Sequence, residues 1–509
     1  MSIFQRILPL KPWVNASLTG ILLALSFPKL GLSILAWGAF LPLFYAVRHQ
    51  SVKMSFKFGF LAGFVAYAAV FYWLNIVMTT YGKLPLPVSL SLTLLMAAYL
   101  ALYPAAAISL SRLAELRSIP LIFSFPFIWV ALEYLRAYLF SGLPWASLGY
   151  SQFRTLPLIQ IADITGVYGV SFLVLTVNIF LFQLWRWIRG KDGATYPILA
   201  TVVAVPLFLL TIFYGFISLN KGEHGKEIKV ALAQGNIPQD VKWDPAFQEE
   251  TVAIYERLSR RSKGTGADLV VWPESSLPFF FQKELLYSDR VSALARELNS
   301  YLVVSSPALD FVDGKERLLN SAFLISTDGS SVGRSDKMHL VPFGEYVPLA
   351  RLLPFVKKMV QGIGDFSPGR SALPLSAPFG KMGVLICFEG IFPEISRDYV
   401  RNGATLLVNI TNDAWFGDSS APYQHLSMTV FRAVENRVPL VRSANTGITA
   451  FIDSRGHVQA MTILFKEALL SGKVKLGTTR SLYTVYGDIF AWSCSLFAII
   501  LMGRVLFKR

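Results

Sequence analysis

The first 220 residues are a series of apolar runs, and this pattern limits what the chain can fold into more than any other feature. Candidate membrane crossings fall at 10–27, 32–47, 58–79, 88–110, 121–140, 159–187 and 196–219, with a further one at 487–507. A helix needs about 20 apolar residues to cross the hydrocarbon of a bilayer, where every backbone polar group must be bonded within the segment. The first two runs are short and separated by Pro28-Lys29-Leu30-Gly31, so seven or six crossings precede the polar part of the chain. Charge decides between the two counts. Arg6 and Lys11 precede the first run, Arg48, Lys53 and Lys57 follow the second, Arg112 and Arg117 the fourth, and Arg186, Arg189 and Lys191 the sixth, while Arg504, Lys508 and Arg509 close the chain. The alternate loops hold only Lys29, Lys83 and Arg154, with Arg136 near a helix end. With seven crossings every basic loop falls on one side, which the positive-inside rule makes cytoplasmic. The count is therefore eight transmembrane helices, with both termini cytoplasmic and the polar part of the chain on the far side.

Composition agrees. The chain is 53% hydrophobic and 16% charged, with a mean hydropathy of +0.49, too apolar for an ordinary soluble protein. The net charge of +15 suits basic loops beside anionic headgroups. It does not suit nucleic acid, because no basic stripe with interleaved aromatics appears. Two cysteines imply no disulfide framework. The N-terminus shows no small-residue cleavage site after a short apolar core, so it is not read as a removed signal peptide. Glu133 and Arg136, three residues apart near one helix end, are expected to pair, and Asn75 and Asn178 to bond between helices.

Residues 221–481 change character, and three parts follow: a membrane part at 1–220, an α/β domain at 221–481, and a last crossing with its tail at 482–509. Strands are expected at 228–234, 269–272, 302–305, 322–326, 382–386, 406–410, 440–443 and 449–452, and helices at 246–263, 288–299, 393–402 and 421–436. That alternation predicts a central sheet covered by helices.

Within this domain the stretch KMGVLICFEGIFPE (381–394) reads as a buried strand that delivers Cys387 to a sharp turn and then starts a helix. Such a turn exposes a nucleophile beside free backbone N–H groups. Glu274 follows the apolar Val270-Val271-Trp272-Pro273, and Lys337 lies in Arg334-Ser335-Asp336-Lys337-Met338-His339. A thiol attacking an acyl carbon needs a base for its proton and positive charge for the oxyanion, and a carboxylate, an ammonium and a thiol supply that set. His49, His224, His339, His425 and His457 are scattered without ligand spacing, so no metal is expected, and a Ser–His–Asp site lacks a nucleophile elbow.

Four segments carry a resemblance: WPESSLP (272–278), GRSDKMHLVPFGEYVP (333–348), GVLICFEGIFP (383–393) and NITNDAWFG (409–417). They resemble the nitrilase superfamily, whose Glu–Lys–Cys triad occurs in this order. With eight crossings placed around the domain, nearly the whole chain is similar to the apolipoprotein N-acyltransferases, the membrane-embedded branch. The resemblance implies a polytopic helical membrane domain and a nitrilase-like αββα sandwich on the periplasmic face of the bacterial inner membrane. It implies transfer of a fatty acyl chain from a phospholipid donor, by way of a cysteine thioester, to the α-amino group of a diacylglyceryl apolipoprotein acceptor. No cofactor is implied, and a monomer is expected. Carried over, Glu274 is general base, Lys337 oxyanion stabiliser and Cys387 nucleophile, with the Phe388 N–H as second oxyanion donor. Glu345 and Glu389 match further acidic positions, while Trp243, Tyr346, Trp415 and Phe416 would contact the acyl chain. The family often has tyrosine after the nucleophile, where this chain has Phe388. Two rivals stay open: a membrane-tethered amidase or nitrilase acting on a small soluble amide or nitrile, and a transporter with a regulatory domain.

Overall fold

In the computed structural model, which describes residues 11–190, 193–222, 224–312, 314–347 and 365–507, the apolar runs are helices. Leu10, Arg6, Lys191, Lys508, Arg509 and Pro348, used in the sequence reading, lie outside the described residues. Contacts divide the chain into two units: Met1–Asn75, Leu84–Asn220 and Tyr486–Arg509 form one, and Ile76–Lys83 with Lys221–Val485 the other.

Among the described residues, six helices of the first unit are long and apolar enough to cross a bilayer: Val52–Val70, Leu86–Leu116, Leu121–Tyr138, Val167–Ile188, Ile198–Asn220 and Ile489–Phe507. The first two apolar runs are shorter. Pro12–Ser26 is one helix, and the second run divides into a 3₁₀ turn, Ser33–Trp37, and the helix Leu41–Val47. The run expected at 159–187 also starts differently. Two single-turn helices, Leu156–Ile159 and Ala162–Thr165, precede Gly166, whose φ of +63° breaks the path before Val167–Ile188 begins. Val52–Val70 packs on Leu86–Leu116 through Gly59 and Gly63. A Cβ on either would collide with Ile108 or Pro104, so these glycines let the two backbones approach closely.

Polar residues in this unit bond rather than stand alone. Asn178 Nδ2 donates to the Ala36 carbonyl at 2.8 Å and its Oδ1 accepts from the Phe40 N–H at 3.0 Å. Asn75 accepts from Ser89 at 2.8 Å. Glu133 and Arg136 do not form the expected pair. Three residues apart put them on one side of the helix, but each reaches a different neighbour. Arg136 donates to Tyr67 at 2.8 Å and Ser147 at 3.2 Å, while Glu133 accepts from the Leu148 N–H at 2.8 Å.

Among the described residues, the second unit holds twelve strands in two six-stranded sheets. They are β1 (Glu227–Gln234), β2 (Leu269–Val271), β3 (Tyr301–Val312), β4 (Lys315–Ile325), β5 (Ser331–Asp336), β6 (Leu375–Ala377), β7 (Gly380–Ile386), β8 (Leu406–Thr411), β9 (Leu440–Ala444), β10 (Ala450–Ile452), β11 (Val458–Met461) and β12 (Ala468–Lys475). One sheet runs β12-β1-β2-β3-β4-β5 and the other β11-β10-β9-β8-β7-β6. In each, three neighbouring strands are parallel, β1-β2-β3 and β7-β8-β9, and the rest pair antiparallel.

The period of two along each strand sorts side chains between layers. Ile228, Val230 and Leu232 of β1 pack with Val384 and Ile386 of β7 and Val408 and Ile410 of β8 in one apolar core. Ala231 and Ala233, between them in sequence, share a different core with Val252, Tyr255 and Leu258 of the helix Gln248–Arg260 and Val291 and Leu294 of Leu285–Leu298. Pro393–Arg401 and Ala421–Asn436 contact β7 and β9 of the other sheet. The result is the expected αββα sandwich.

Candidate active site

The three residues singled out in sequence follow strand ends. Glu274 lies just beyond β2, Lys337 directly after β5 and Cys387 directly after β7. Cys387 opens the 3₁₀ turn Cys387–Ile391 with φ +54°, a left-handed conformation that costs a non-glycine residue on the order of 1 kcal/mol or more. Its surroundings hold that turn. The Cys387 carbonyl accepts from His425 Nε2 at 3.2 Å and Asn409 Nδ2 at 3.4 Å. Because a carbonyl only accepts, His425 carries its hydrogen on Nε2, and Arg442 donates to Nδ1 at 3.1 Å. Arg442 also binds Asp413 at 2.7 Å, and Thr411 donates to Asp413 at 3.0 Å. Burial and then the Arg442 charge lower the His425 pKa, while Asp413, whose Oδ1 lies 3.2 Å from Nδ1, works in the opposite direction.

Glu274 and Glu345 share two donors. Asn320 Nδ2 lies 3.0 Å from Glu274 Oε1 and 2.9 Å from Glu345 Oε1. Lys337 Nζ lies 3.4 Å from the first of these oxygens and 3.0 Å from the second. The remaining oxygens accept backbone N–H groups, Glu274 from Asn412 at 3.2 Å and Glu345 from Val341 at 2.8 Å. Lys337 is only 1% exposed. Burial opposes its charge, but Glu345 and Glu274 more than offset this and hold its pKa above the ordinary lysine value.

Burial, and next the Glu274 charge, push the Cys387 thiol up to about 12, with Lys337 working in the opposite direction. A thiol held neutral in this way would need a base to act as a nucleophile. Glu389 connects the two halves of the site. Its Oε1 accepts from the Met338 and His339 N–H groups at 2.6 and 3.2 Å, and its Oε2 accepts from the Ile386 N–H at 2.7 Å. It thus ties the chain after Lys337 to the strand end before Cys387. Burial raises its pKa to about 7 against the pull of those bonds.

The apolar candidates are more dispersed. Phe388 is half-buried and its ring meets Phe392 edge-on at 5.1 Å between centroids. Trp415 and Phe416 end the 3₁₀ turn Asp413–Phe416, where Trp415 lies edge-on to Tyr81 at 4.9 Å and Tyr81 donates to the Ala414 carbonyl at 2.9 Å. Tyr346 accepts from the Phe343 N–H at 2.7 Å through its carbonyl. Among the described residues, no hydrogen bond or ion pair joins the side chains of Trp243 or Tyr346 to Glu274, Lys337 or Cys387.

Sequence reasoning missed three parts of this site. Asn320 sits in the middle of β4, a strand that also carries Lys315, Glu316, Arg317 and Ser321, so one more polar residue gives no signal. Lys242 is fully buried beside the half-buried Trp243 and donates to the Glu274 carbonyl at 2.9 Å. His425 is one of five scattered histidines in the sequence and stands in no motif. Its spacing from Asp413 and Arg442 gives no signal, because the three residues come from separate elements.

Comparison with known proteins falls along the same division. Residues 19–180 match a family model described as Apolipoprotein N-acyltransferase N-terminal domain, and residues 229–484 match one described as Carbon-nitrogen hydrolase. A protein named apolipoprotein N-acyltransferase from Geobacter metallireducens is 58% identical over 503 residues, covering 99% of this chain and 96% of that protein. One of the same name from Haemophilus influenzae is 33% identical over 509 residues, covering 98% and 95%. Among solved structures, an amidase from Nesterenkonia sp. AN1 is similar at 21% identity and a TM-score of 0.38, covering 50% of this chain and 92% of that one.

Proposed function

This chain belongs to the apolipoprotein N-acyltransferase family, and we propose that it moves a fatty acyl chain from a phospholipid to the α-amino group of a diacylglyceryl-cysteine through a thioester on Cys387. The observation that carries this reading is the placement of Glu274 Oε1 3.4 Å from Lys337 Nζ, with the charges of both acting on the Cys387 thiol.

In the proposed reaction Glu274 takes the Cys387 proton and the thiolate attacks the phospholipid ester carbonyl. Lys337 and the Phe388 N–H hold the oxyanion. Phe388 is the second residue of its 3₁₀ turn, where the first N–H groups have no partner within the helix. Collapse breaks the ester, and protonated Glu274 gives its proton to the departing lysophospholipid oxygen. The acceptor amine then attacks the thioester, Glu274 takes the amine proton, and the amide forms as the thiolate leaves and regains a proton. Glu345 fixes Lys337, and Glu389 keeps Lys337 and Cys387 in register. Trp243, Tyr346, Trp415 and Phe416 contact the acyl chain.

The proposed arrangement has eight crossings in the bacterial inner membrane, with 1–220 and 482–509 as the membrane part and 221–481 as a periplasmic catalytic domain. The one-sided Arg and Lys loops support it, and a monomer suffices because the triad comes from one chain. Purified protein given phospholipid and a diacylglyceryl-cysteinyl peptide should yield N-acylated peptide and lysophospholipid in equal amounts. Hydrolysis of small amides without transfer to the peptide would instead support the amidase reading.

A further inference from the structure

The loop between β1 and the helix Gln248–Arg260 carries a buried amine at the back of Glu274 that the reaction above does not use. Lys242 is 0% exposed, and its Nζ donates to the Glu274 carbonyl oxygen at 2.9 Å. That carbonyl belongs to the peptide bond leading into Ser275, whose φ is +50°. The other end of the same peptide is held as well, since the Ser275 N–H donates to Ser305 Oγ at 3.0 Å. The peptide that sets the direction of Glu274 is therefore clamped on both sides.

The loop that brings Lys242 there is anchored to the same site. Asn445 accepts from the Ile237 N–H at 2.9 Å and donates to the Ile237 carbonyl at 2.7 Å. Asn412, whose backbone N–H holds Glu274 Oε2, donates through its side chain to Gln239 at 2.6 Å. An ammonium taken out of water is costly unless opposite charge offsets it. Glu274 lies between two buried ammoniums: Lys337 Nζ is 3.4 Å from its carboxylate, and Lys242 Nζ holds its carbonyl. Burial lowers the Lys242 pKa to about 8, with the Glu274 carboxylate opposing the shift. The charged form therefore prevails at neutral pH.

We propose that Lys242 is a positioning residue for the acyl transfer: its ammonium fixes the main chain of Glu274 in the orientation the base needs and places a second positive charge, besides Lys337, next to that base. The inference rests on the assignment of Glu274 as base and Cys387 as nucleophile. Without the Lys242 charge Glu274 keeps Lys337 as its one ammonium. The base then takes up a proton more readily, and the acid limb of the pH–rate profile moves to higher pH. Cys387, Glu389 and the Asp413–His425–Arg442 cluster also act on this centre, and none of them changes in the Lys242 variants.

The test uses the full-length protein with phospholipid and a diacylglyceryl-cysteinyl peptide. Transfer is measured across pH for the unchanged protein, Lys242→Met, Lys242→Gln and Lys242→Arg, with Cys387→Ala and Glu274→Gln alongside. Lys242→Met loses both functions and should cost roughly 10²-fold, the scale of a small misplacement of a catalytic group. Lys242→Gln keeps a donor for the carbonyl but no charge. It should lose less rate than Lys242→Met while its acid limb still moves to higher pH. Lys242→Arg should restore the position of that limb. A rate loss with the acid limb unmoved in Lys242→Gln would overturn the proposal, as would an unchanged rate and profile in that variant. If Lys242→Met does not fold, the Gln and Arg profiles decide by the same criteria. Transfer retained in Cys387→Ala or Glu274→Gln would instead remove the reading on which the inference rests.

Discussion

His425 Nε2 lies 3.2 Å from the carbonyl oxygen of Cys387, and both are buried. The bond holds the left-handed turn that presents the thiol, and Arg442 and Asp413 hold the imidazole in turn. Replacing His425 by Ala should leave the carbonyl and the Arg442–Asp413 pair without that partner, a loss of about 1–3 kcal/mol for a buried group. Thermal unfolding should move down and acyl transfer should fall with it. A variant with unchanged melting and unchanged transfer would show that the turn holds itself.

Glu389 accepts three backbone N–H groups through its two oxygens, and each side receives at least one donor. Glu389→Gln should therefore be nearly as damaging as Glu389→Ala, because its NH₂ would face an N–H on one side or the other. Transfer should drop in both variants while membrane insertion is unaffected. Full activity in Glu389→Gln would show that one accepting oxygen suffices to keep Lys337 and Cys387 in register.

For the residues assigned to the chemistry, Glu274→Gln should lose general-base catalysis, on the order of 10²–10⁴-fold. Lys337→Ala should lose an oxyanion donor, roughly 10²–10³-fold. It should also disturb both carboxylates, since Lys337 lies within 3.4 Å of Glu274 and 3.0 Å of Glu345. Turnover by purified variants checks both, and near-normal turnover in either removes that residue from its role.

Much of the α/β fold was legible in the sequence, and what was missed has one physical cause. The eight expected strands correspond to β1, β2, β3, β4, β7, β8, β9 and β10, the inner strands of the two sheets. The four not expected, β5, β6, β11 and β12, are the outermost strands. An inner strand is buried on both faces and reads as an apolar run, as in Val230–Ala233 or Leu406–Ile410. Edge strands such as β5 (SVGRSD) and β11 (VQAM) are half-exposed and look like loops. At the site, Glu274, Lys337 and Cys387 could be picked out because each stands beyond an apolar strand or in a marked motif. Asn320, Lys242 and His425 could not, because their partners are distant in the chain and only the fold brings them together. In the membrane part, residue spacing put Glu133 and Arg136 on one helix face but gave no sign of their hydrogen-bond partners, Tyr67 and Ser147 for Arg136 and the Leu148 N–H for Glu133.

The pH behaviour of the free enzyme follows from the direction of the Cys387 shift. Burial and the Glu274 charge raise the thiol to about 12, so the neutral form persists well past the ordinary thiol range near 8.5. Without lipid substrate, alkylation of Cys387 by iodoacetamide should be slow at neutral pH and still rising above pH about 9, past that range. A plateau near the ordinary thiol value, followed by mass spectrometry of the Cys387 peptide, would show that the thiol is not held in its neutral form.

The most direct measurement of the central claim is the mass of the protein after incubation with phospholipid alone. One nucleophile that serves two lipid substrates in turn must release lysophospholipid before the amine arrives, leaving an acyl chain on sulfur. The account predicts an added mass of one fatty acyl chain on Cys387, removed by neutral hydroxylamine. It also predicts discharge onto the amine of a diacylglyceryl-cysteinyl peptide and no hydroxylamine-labile adduct in Cys387→Ser. Transfer that proceeds only with both substrates present, with no acyl adduct under rapid quench, would contradict it and point to direct transfer between the lipids.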